Sequence, residues 1–363
     1  MPTDTEAWVV YQRDGPFRRS KLTLDDPLED EVLVEIVATG ICHTDFTVAK
    51  GLLPGASYPV ILGHEGAGKV LSVGGKVATV APGDSVLLSF AYCNDCVACS
   101  KQSPHACVKW GYLNFGKFRS NGSQEVGTLE DGTRVHGAFF GQSSFGKHAL
   151  AKATSANLAS LAPMGCGMQT GSGAVMNVAK PSPDHSVLIS GMGGVGMAAL
   201  FAAKELGVQN IIAVDMNSSR LELAKKFGAT HAVNPKEVDT VKEVMRLTND
   251  LGADFAIECS GVVQAAKAAF MALAFQGVQV QVGDSGVGEL SVPLGAFLQG
   301  LRTIIGCVEG NGDPRRLIPT LVQWSKEGKF PLAEISAKYR WDDFAQAEKD
   351  AHDGNIIKAI LVV

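Results

Sequence analysis

The sequence contains 363 residues, of which 46% are hydrophobic and 19% are charged, and this length allows two domains with buried cores. The same composition excludes extended disorder, because apolar residues occur along the whole chain. The 37 acidic residues outnumber the 32 basic ones, giving a net charge of -5, and no stripe of Lys and Arg is present, so a nucleic-acid partner is disfavoured.

The N-terminal residues predict no secretory signal, because Asp4 and Glu6 stand where such a signal needs basic residues. The uncharged stretch 186–203 approaches the length of a membrane span, but it contains four glycines and is better explained by a glycine-rich turn. We therefore expect no membrane partner, a cytoplasmic location, and eight cysteines that are reduced thiols rather than disulfides. Metal ligation becomes the leading interpretation of these cysteines.

The first part of the chain predicts an irregular, mostly β domain. Residues 32–37, 68–73 and 85–89 have the alternating, β-branched pattern of short strands. The Pro54-Gly55 and Pro82-Gly83 pairs between them are typical of turns.

Three residues of separate segments, Cys42, His64 and Cys166, are candidate ligands of one metal ion. Each is weak evidence alone, since a lone buried Cys usually behaves as a small apolar residue and a lone His as a core residue. Together, two thiolates and one imidazole form a ligand set that leaves one zinc position open for chemistry.

Four further cysteines, Cys93, Cys96, Cys99 and Cys107, have the spacing C-x2-C-x2-C-x7-C. Four thiolates within such a short segment predict a tetrahedral zinc site that is closed to water and therefore structural. An iron–sulfur site has superficially similar spacings. A nucleic-acid-binding zinc finger is the other alternative, and the acidic charge balance argues against it.

The middle of the chain alternates short buried strands with helices. This pattern predicts an α/β fold with a doubly wound parallel (Rossmann) sheet over about 182–308. Cys259 and Cys307 fall within predicted strands and are interpreted as core residues. The predicted strands are 187–189, 211–214, 232–233, 255–257, 278–282 and 303–305, and the predicted helices include 197–206 and 220–227.

A glycine-rich segment joins the first of these strands to its helix. It has the sequence Gly191-Met192-Gly193-Gly194-Val195-Gly196, and Asp215 follows Gly196 by 19 residues, at the end of the next strand. In this context the motif predicts dinucleotide binding, with the pyrophosphate at the helix N-terminus. Asp215 would bind the ribose hydroxyls and repel a 2′-phosphate, which favours NAD(H) over NADP(H). Arg220 either reaches the same ribose or is a solvated surface cation.

The C-terminal residues are too few for a third domain. Residues 315–327 and 341–352 predict helices, and 359–363 predict a strand. We therefore divide the chain into a catalytic domain at 1–167, a coenzyme domain at 168–308, and a return to the first domain at 309–363.

The order of these motifs resembles that of the zinc-dependent alcohol dehydrogenases of the medium-chain dehydrogenase/reductase superfamily, whose first domain is GroES-like. The resemblance covers essentially the whole chain. Four short segments are most similar to aryl (benzyl-type) alcohol dehydrogenases: Ser89-Phe90, 139–145 (FFGQSSF), Val308-Glu309-Gly310 and Ile356-Ile357-Lys358.

The resemblance implies two zinc ions per chain, NAD(H), and hydride transfer between the cofactor and an aromatic or bulky hydrophobic alcohol or aldehyde, with secondary metabolism as a candidate setting. Zinc held by Cys42, His64 and Cys166 would act as a Lewis acid. The same resemblance makes Thr44 the hydroxyl that hydrogen-bonds the substrate oxygen and Asp45 the acid that orients His64. Three further residues receive roles in the same way: Glu65 as a modulator near the zinc, and His43 and Lys358 as partners of the cofactor pyrophosphate.

Two departures from the family pattern bear on mechanism. Many relatives carry a histidine five residues after the first ligand cysteine, where this chain has Thr47, so the route of the proton to solvent is open. His43 and His105 are alternative acceptors. The stretch from His148 to Cys166 is also several residues shorter than is usual in the family.

Three other expectations concern function and assembly. A zinc-free quinone or enone reductase of the same superfamily is an alternative, but it would prefer NADPH and lack the four-cysteine segment. A non-catalytic zinc- and NAD(H)-binding scaffold or redox sensor is a second alternative, and it would not need an open metal site. The family resemblance also implies a homodimer or homotetramer.

Overall fold

The computed structural model describes residues 2–53, 57–116, 119–151, 159–284, 286 and 288–363. The chain divides into two compact units. Unit 1 comprises Met1–Cys166, Asp313–Gln323 and Pro331–Val363, and unit 2 comprises Gly167–Gly312 and Trp324–Phe330. None of the helices in the described parts of the chain is long and apolar enough to cross a membrane.

Strands and short helices alternate irregularly in the first part of unit 1. The predicted turn at Pro82-Gly83 is present, with Gly83 in the left-handed region, whereas Pro54-Gly55 lies outside the described residues. In chain order the elements are β1 Thr3–Val10, β2 Phe17–Leu24, β3 Val32–Gly40, α1 His43–Ala49, β4 Val60–Ile61, β5 Gly66–Val73, β6 Ser85–Leu87, α2 Val97–Ser100, α3 Trp110–Asn114, β7 Glu125–Leu129, β8 Arg134–His136 and β9 His148–Ala151, with 3-10 turns at Pro104–Ala106, Phe139–Gly141 and Ala159–Gly165.

Unit 2 alternates strands and helices, as the sequence predicts. The central strand Ser186–Ser190 is buried at every residue, as is typical of a parallel sheet that is covered on both faces. The elements are α4 Gly167–Gly173, a π-helical turn Ala174–Ala179, β10 Ser186–Ser190, α5 Gly194–Glu205, β11 Asn210–Val214, α6 Ser218–Phe227, β12 His231–Val233, α7 Thr240–Leu247, β13 Ala253–Glu258, α8 Val263–Met271, β14 Leu273–Gln281, α9 Leu294–Gly300 and β15 Thr303–Gly306.

The strands of unit 2 form one six-stranded sheet in the order β12-β11-β10-β13-β14-β15, and all neighbouring pairs are parallel. This is the strand order of doubly wound dinucleotide-binding sheets, in which ligands bind outside the carboxyl ends of the central strands. The predicted fold of this unit is confirmed. Cys259 and Cys307, however, lie one residue beyond the ends of β13 and β15 instead of inside strands.

The C-terminal elements are α10 Pro314–Lys326, α11 Leu332–Ile335, β16 Ser336–Arg340, a 3-10 turn Trp341–Asp343, α12 Phe344–His352 and β17 Lys358–Val362. Residues 309–312 and 324–330 belong to unit 2, which differs from the predicted return of 309–363 to the first domain. Burial of an aromatic ring explains the second stretch: Phe330 is fully buried, and its ring centroid lies 4.9 Å from that of Phe201 on α5.

Unit 1 contains a closed barrel in the order β1-β2-β7-β8-β4 and a second sheet in the order β16-β17-β3-β5-β6, with β9 paired to β3. The C-terminal strand β17 therefore lies antiparallel to β3. This pairing places the last strand of the chain beside α1, since α1 follows directly after β3. The mostly β character that the sequence predicts for this unit is confirmed.

Candidate metal and nucleotide sites

Unit 1 brings together the three dispersed ligand candidates. Cys42 lies at the N-terminus of α1, His64 in the connection between β4 and β5, and Cys166 directly after the turn Ala159–Gly165. One ligand atom each from Cys42, His64, Cys166 and Glu65 lies within 4.8 Å of the others. Two sulfurs and one imidazole nitrogen thus converge from separate segments of the chain.

Asp45 orients this cluster. Its Oδ1 lies 2.9 Å from Nδ1 of His64 and also accepts the backbone N–H of Gly63 at 3.0 Å. Its Oδ2 accepts the backbone N–H of Cys42 at 3.1 Å. One buried carboxylate therefore holds two ligand segments and directs the other ring nitrogen of His64 toward the cluster.

The donor set fits zinc. Nε2 of His64 is buried and has no hydrogen-bond partner among the described residues. Burial of a polar atom without a partner is unfavourable, unless a metal ion binds that atom. The nearby sulfurs of Cys42 and Cys166 are the soft donors that zinc prefers together with imidazole.

The electrostatics of the cluster favour a metal-binding thiolate. The hydrogen bond with Cys166, followed by the charge of His64, lowers the pKa of the Cys42 thiol well below its ordinary value. Burial lowers the pKa of His64, but the charges of Asp45 and Cys42 outweigh burial and raise it. The thiolate is the form of cysteine that ligates metals.

Glu65 is completely buried beside the ligands. Nζ of Lys358 lies 2.6 Å from its Oε2, and Lys358 itself is 5% exposed. Burial raises the pKa of Glu65 to about 7, against the opposing charge of Lys358. The structure thus brings Glu65 to the cluster as expected, and it places Lys358, which the resemblance assigns to the cofactor pyrophosphate, in an ion pair within unit 1.

Of the four residues considered for proton transfer, His43, Thr44 and Thr47 lie on α1 and His105 does not. Oγ1 of Thr44 is 3.7 Å from Sγ of Cys42, while the side chain of His43 is exposed. Thr47 is buried, and its hydroxyl donates to the carbonyl oxygen of His43 at 3.1 Å. His105 is part of the turn Pro104–Ala106 in the four-cysteine segment. Of these residues, Thr44 has its side-chain oxygen beside the sulfur of Cys42, a candidate zinc ligand.

Two residues at this site received no role from the sequence alone. The ring of Phe140 stacks on that of His64, with centroids 4.7 Å apart. The backbone of Phe140 is in the left-handed region, with a φ of +50°. Gln142 is buried, donates from Nε2 to the backbone oxygen of His64 at 2.9 Å, and accepts the N–H of Gly66 at 2.9 Å. Both belong to the 139–145 segment. The sequence signal that could have identified them is a glutamine placed between phenylalanines in that segment.

The four cysteines of the second metal group also converge. Their sulfurs lie within 4.8 Å of one another, with Cys93–Cys107 at 3.4 Å and Cys93–Cys99 at 3.9 Å. A tetrahedron with Zn–S bonds of about 2.3 Å places sulfurs about 3.8 Å apart. Backbone N–H groups of Cys99 and Val108 lower the pKa of Cys96 to about 6. None of the eight cysteines, all of which lie in the described ranges, forms a disulfide.

Unit 2 contains a cavity of about 440 Å³ at the carboxyl edge of its sheet. Gly191 has a φ of +87°, and a Cβ on Gly196 would lie 1.9 Å from the carbonyl oxygen of Gly191, so both positions require glycine. A Cβ on Gly193 would meet nothing within 4 Å, and the next residue, Gly194, is the first residue of α5. The loop therefore leaves open space at the helix N-terminus, where a pyrophosphate binds in folds of this kind.

Asp215 and Arg220 line this cavity. Asp215 follows β11 directly, and its Oδ2 accepts the N–H of Met192 at 2.7 Å and lies 3.8 Å from Nη1 of Arg220. Cys259 lines this cavity and is partly exposed, so the interpretation of Cys259 as a core residue is wrong. Cys307 is buried as expected. The strand β13 ends at Glu258, which places Cys259 in the turn at the cavity.

Comparison with known proteins gives matches along both parts of the chain. Residues 28–139 match the alcohol dehydrogenase GroES-like domain, and residues 194–327 match the zinc-binding dehydrogenase family. A geraniol dehydrogenase of Castellaniella defragrans is 35% identical over 98% of this chain and 97% of its own length.

Two solved structures are similar over nearly their full length. The benzyl alcohol dehydrogenase of Acinetobacter calcoaceticus has a TM-score of 0.92 and 38% identity and covers 99% of both chains. An alcohol dehydrogenase zinc-binding domain protein of Burkholderia ambifaria has a TM-score of 0.94 and 38% identity and covers 100% of both chains. The chain is an oxidoreductase that belongs to the zinc-dependent alcohol dehydrogenases of the medium-chain dehydrogenase/reductase superfamily.

Proposed function

We propose that this protein is an NAD(H)-dependent alcohol dehydrogenase or aldehyde reductase that acts on aromatic or other bulky hydrophobic substrates. The observation that carries the proposal is the convergence of Cys42, His64 and Cys166 within 4.8 Å, with Asp45 hydrogen-bonded to the imidazole. Three nitrogen and sulfur donors are the number found in catalytic zinc sites, whereas the four cysteines 93–107 supply the number found in structural sites.

The residues of the chain have distinct tasks in this proposal. Cys42, His64 and Cys166 would hold a zinc ion, which supplies Lewis acidity toward the substrate oxygen. The nicotinamide carries the hydride, so alcohol oxidation yields the carbonyl compound, the reduced cofactor and one proton. The hydroxyl of Thr44 would accept a hydrogen bond from the substrate hydroxyl and pass its own proton on toward the nicotinamide ribose as it takes up the substrate proton, so that the proton is relayed and not kept. Asp45 fixes the tautomer of His64.

Cofactor preference is assigned to Asp215. Its carboxylate lines the cavity of unit 2 and would accept hydrogen bonds from ribose hydroxyls. A 2′-phosphate at the same position would meet a negative charge, which supports NAD(H) over NADP(H). Arg220 is proposed as an additional cofactor contact because it lines the same cavity beside Asp215. His43 and Lys358 are given cofactor contacts by the family resemblance alone, and Lys358 also forms the ion pair with Glu65.

Aromatic rings beside the ligand cluster support the substrate class. Phe139 and Phe140 contact the His64 ring at centroid distances of 5.3 and 4.7 Å, and Trp110 and Phe115 pack edge-on against Phe140. Apolar aromatic surfaces bind aromatic or extended apolar substrates better than short polar ones. The names of two relatives, a benzyl alcohol dehydrogenase and a geraniol dehydrogenase, are compatible with this class.

A substrate panel tests the proposal. The purified chain, loaded with zinc, is assayed for NADH formation with benzyl alcohol, geraniol and ethanol, and for NADH consumption with the corresponding aldehydes. We expect kcat/KM for the two bulky alcohols to exceed that for ethanol by about 100-fold, given about 1–3 kcal/mol for each buried apolar group. Equal values for all three alcohols contradict the substrate class. Binding of NADH without turnover of any of them supports the scaffold alternative instead.

Self-association is the second part of the proposal. Strand β15 is the last strand in the order of its sheet, and apolar side chains near it are exposed, with Leu298 at 60%, Leu301 at 54% and Val308 at 44%. An exposed edge with apolar residues is a typical site of pairing between chains. We propose a homodimer or homotetramer in the cytoplasm, where thiols remain reduced, and light scattering of the purified protein measures its mass.

A further inference from the structure

A buried carboxylate, Glu258, lies at the edge of the cavity of unit 2 and has no role in the function proposed above. Glu258 is the last residue of β13 and is completely buried. In the part of the chain that the structure describes, no Lys or Arg forms an ion pair with it. A buried acidic side chain is costly unless several donors satisfy it, so its hydrogen bonds decide what it does.

The donors converge on Glu258 from three segments. Oε1 accepts the backbone N–H of Ser260 at 3.0 Å and the hydroxyl of the same residue, and the hydroxyl of Ser190 lies 3.4 Å away. Oε2 accepts the N–H of Gly261 at 3.1 Å and Nε2 of Gln281 at 2.9 Å. The carboxylate thus joins the carboxyl ends of β10, β13 and β14.

The turn that Glu258 holds is part of the nucleotide cavity. Cys259, Ser260 and Val262 line that cavity together with Asp215. The N–H of Cys259 donates to the carbonyl oxygen of Ser190 at 2.8 Å. The turn also packs tightly against the glycine-rich loop, because a Cβ on Gly191 would lie 2.9 Å from three atoms of Ser260.

We propose that Glu258 is a positioning residue for the dinucleotide: its carboxylate sets the place of the 259–262 turn against Gly191 and so shapes the nucleotide cavity before the cofactor binds. The proposal rests on the NAD(H) site of the proposed function. Its chemical basis is that Ser260 and Gly261 present backbone N–H groups that can only donate, so two acceptor oxygens are needed to hold both. Preorganisation of this kind strengthens cofactor binding without contact between Glu258 and the cofactor.

The variant Glu258→Gln tests this role because it keeps the size of the side chain. Whichever way the amide is turned, its NH2 group faces a backbone N–H, and one of the two bonds that hold the turn is lost. We expect the Kd for NADH, measured by fluorescence titration of the zinc-loaded protein, and the KM for NAD to rise about tenfold. The kcat at saturating NAD stays within about twofold of wild type.

Asp254→Asn is the matched control. Asp254 lies on the same strand, and its Oδ2 accepts the N–H and hydroxyl of Ser186 on β10 at 2.7 and 2.8 Å, but at the amino end of the sheet. Both variants remove a carboxylate that links β13 to β10, so both lower the melting temperature. Only Glu258→Gln is expected to weaken NADH binding.

Two results overturn the proposal: wild-type NADH affinity in Glu258→Gln, or an equal loss of affinity in Asp254→Asn. If Glu258→Gln does not fold, Gln281→Leu, which removes one donor to Oε2 and does not line the cavity, is expected to raise the Kd about threefold. Unchanged affinity in that variant likewise overturns the proposal. Failure of the wild-type protein to bind NADH is a separate outcome and contradicts the NAD(H) assignment itself.

Discussion

Nζ of Lys358 lies 2.7 Å from Oε1 of Glu65 and 2.6 Å from its Oε2, and both side chains are buried beside the candidate metal ligands. Because Glu65 adjoins His64 and Lys358 begins strand β17, this ion pair links the last strand of the chain to the ligand cluster. Family resemblance alone assigns Lys358 to the cofactor. In the structure, Lys358 has a carboxylate partner, Glu65, in its own unit, so we expect Lys358 to stabilise the fold.

Replacement of Lys358 by Met should destabilise the protein by about 3–5 kcal/mol, because the carboxylate of Glu65 is left buried without its cation. The melting temperature measures this loss. The double variant Lys358→Met with Glu65→Gln removes both charges and should recover most of it. Lys338→Met, an exposed lysine on the neighbouring strand β16, is the control. A wild-type melting temperature with a raised KM for NAD would show that Lys358 acts on the cofactor instead.

Metal analysis should find two zinc ions per wild-type chain, because one ligand group is closed and the other has three nitrogen and sulfur donors. His64→Gln and Cys107→Ser should each retain one zinc, the first losing turnover and the second losing thermal stability. Cys307→Ser changes a buried thiol outside both groups and should keep two. A single zinc in the wild-type protein, or iron at the four cysteines, contradicts the assignment.

Replacement of Asp215 by Ser should reduce the preference for NAD over NADP about tenfold, because the charge that repels a 2′-phosphate is removed. The ratio of kcat/KM values for the two cofactors measures the change. Asp215→Asn isolates the charge, since its amide oxygen can still accept the N–H of Met192, which Asp215 binds at 2.7 Å. A wild-type preference for NADPH over NADH would contradict the role assigned to Asp215.

Thr44→Ala should lower the rate of hydride transfer by about 10² to 10⁴, the usual contribution of a positioned proton-transfer group. Thr44→Ser keeps the hydroxyl and should retain most of the activity. Single-turnover kinetics with confirmed zinc content and NAD affinity provide the measurement. Near-normal turnover of Thr44→Ala would mean that the substrate proton leaves by another route.

Thr47 is expected to take no part in proton transfer, since its hydroxyl is buried and donates to the backbone of its own helix. Thr47→Ala should therefore leave turnover nearly unchanged. Because many relatives carry a histidine at this position, Thr47→His would be expected to supply a proton acceptor and speed turnover if sequence were the only guide. The burial of Thr47 changes this expectation: the larger ring should overpack the site and cost about 1–3 kcal/mol of stability, which thermal unfolding detects. Faster turnover of a stable Thr47→His enzyme would support a histidine relay at this position instead.

The sequence by itself determined those strands, loops and ligand groups whose residues lie in one continuous segment of the chain. Short apolar runs predict the strands of unit 2, as 187–189 illustrates. The glycine-rich loop depends on a backbone conformation that glycine adopts easily, as Gly191 illustrates. The spacing of Cys93, Cys96, Cys99 and Cys107 within one segment likewise identifies a closed four-sulfur site by itself, because ligands so near in sequence have few other arrangements.

Only the tertiary structure decided how the distant side chains of these sites are paired with one another. The ion pair of Glu65 with Lys358 depends on β17 lying antiparallel to β3, and the stacking of Phe140 on His64 depends on the conformation of a turn with positive φ. The convergence of donors on Glu258 depends on three strands ending at one edge of the sheet. Such contacts join residues far apart in the chain, and their energies come from burial and from the partners they meet, neither of which a local pattern of residues records.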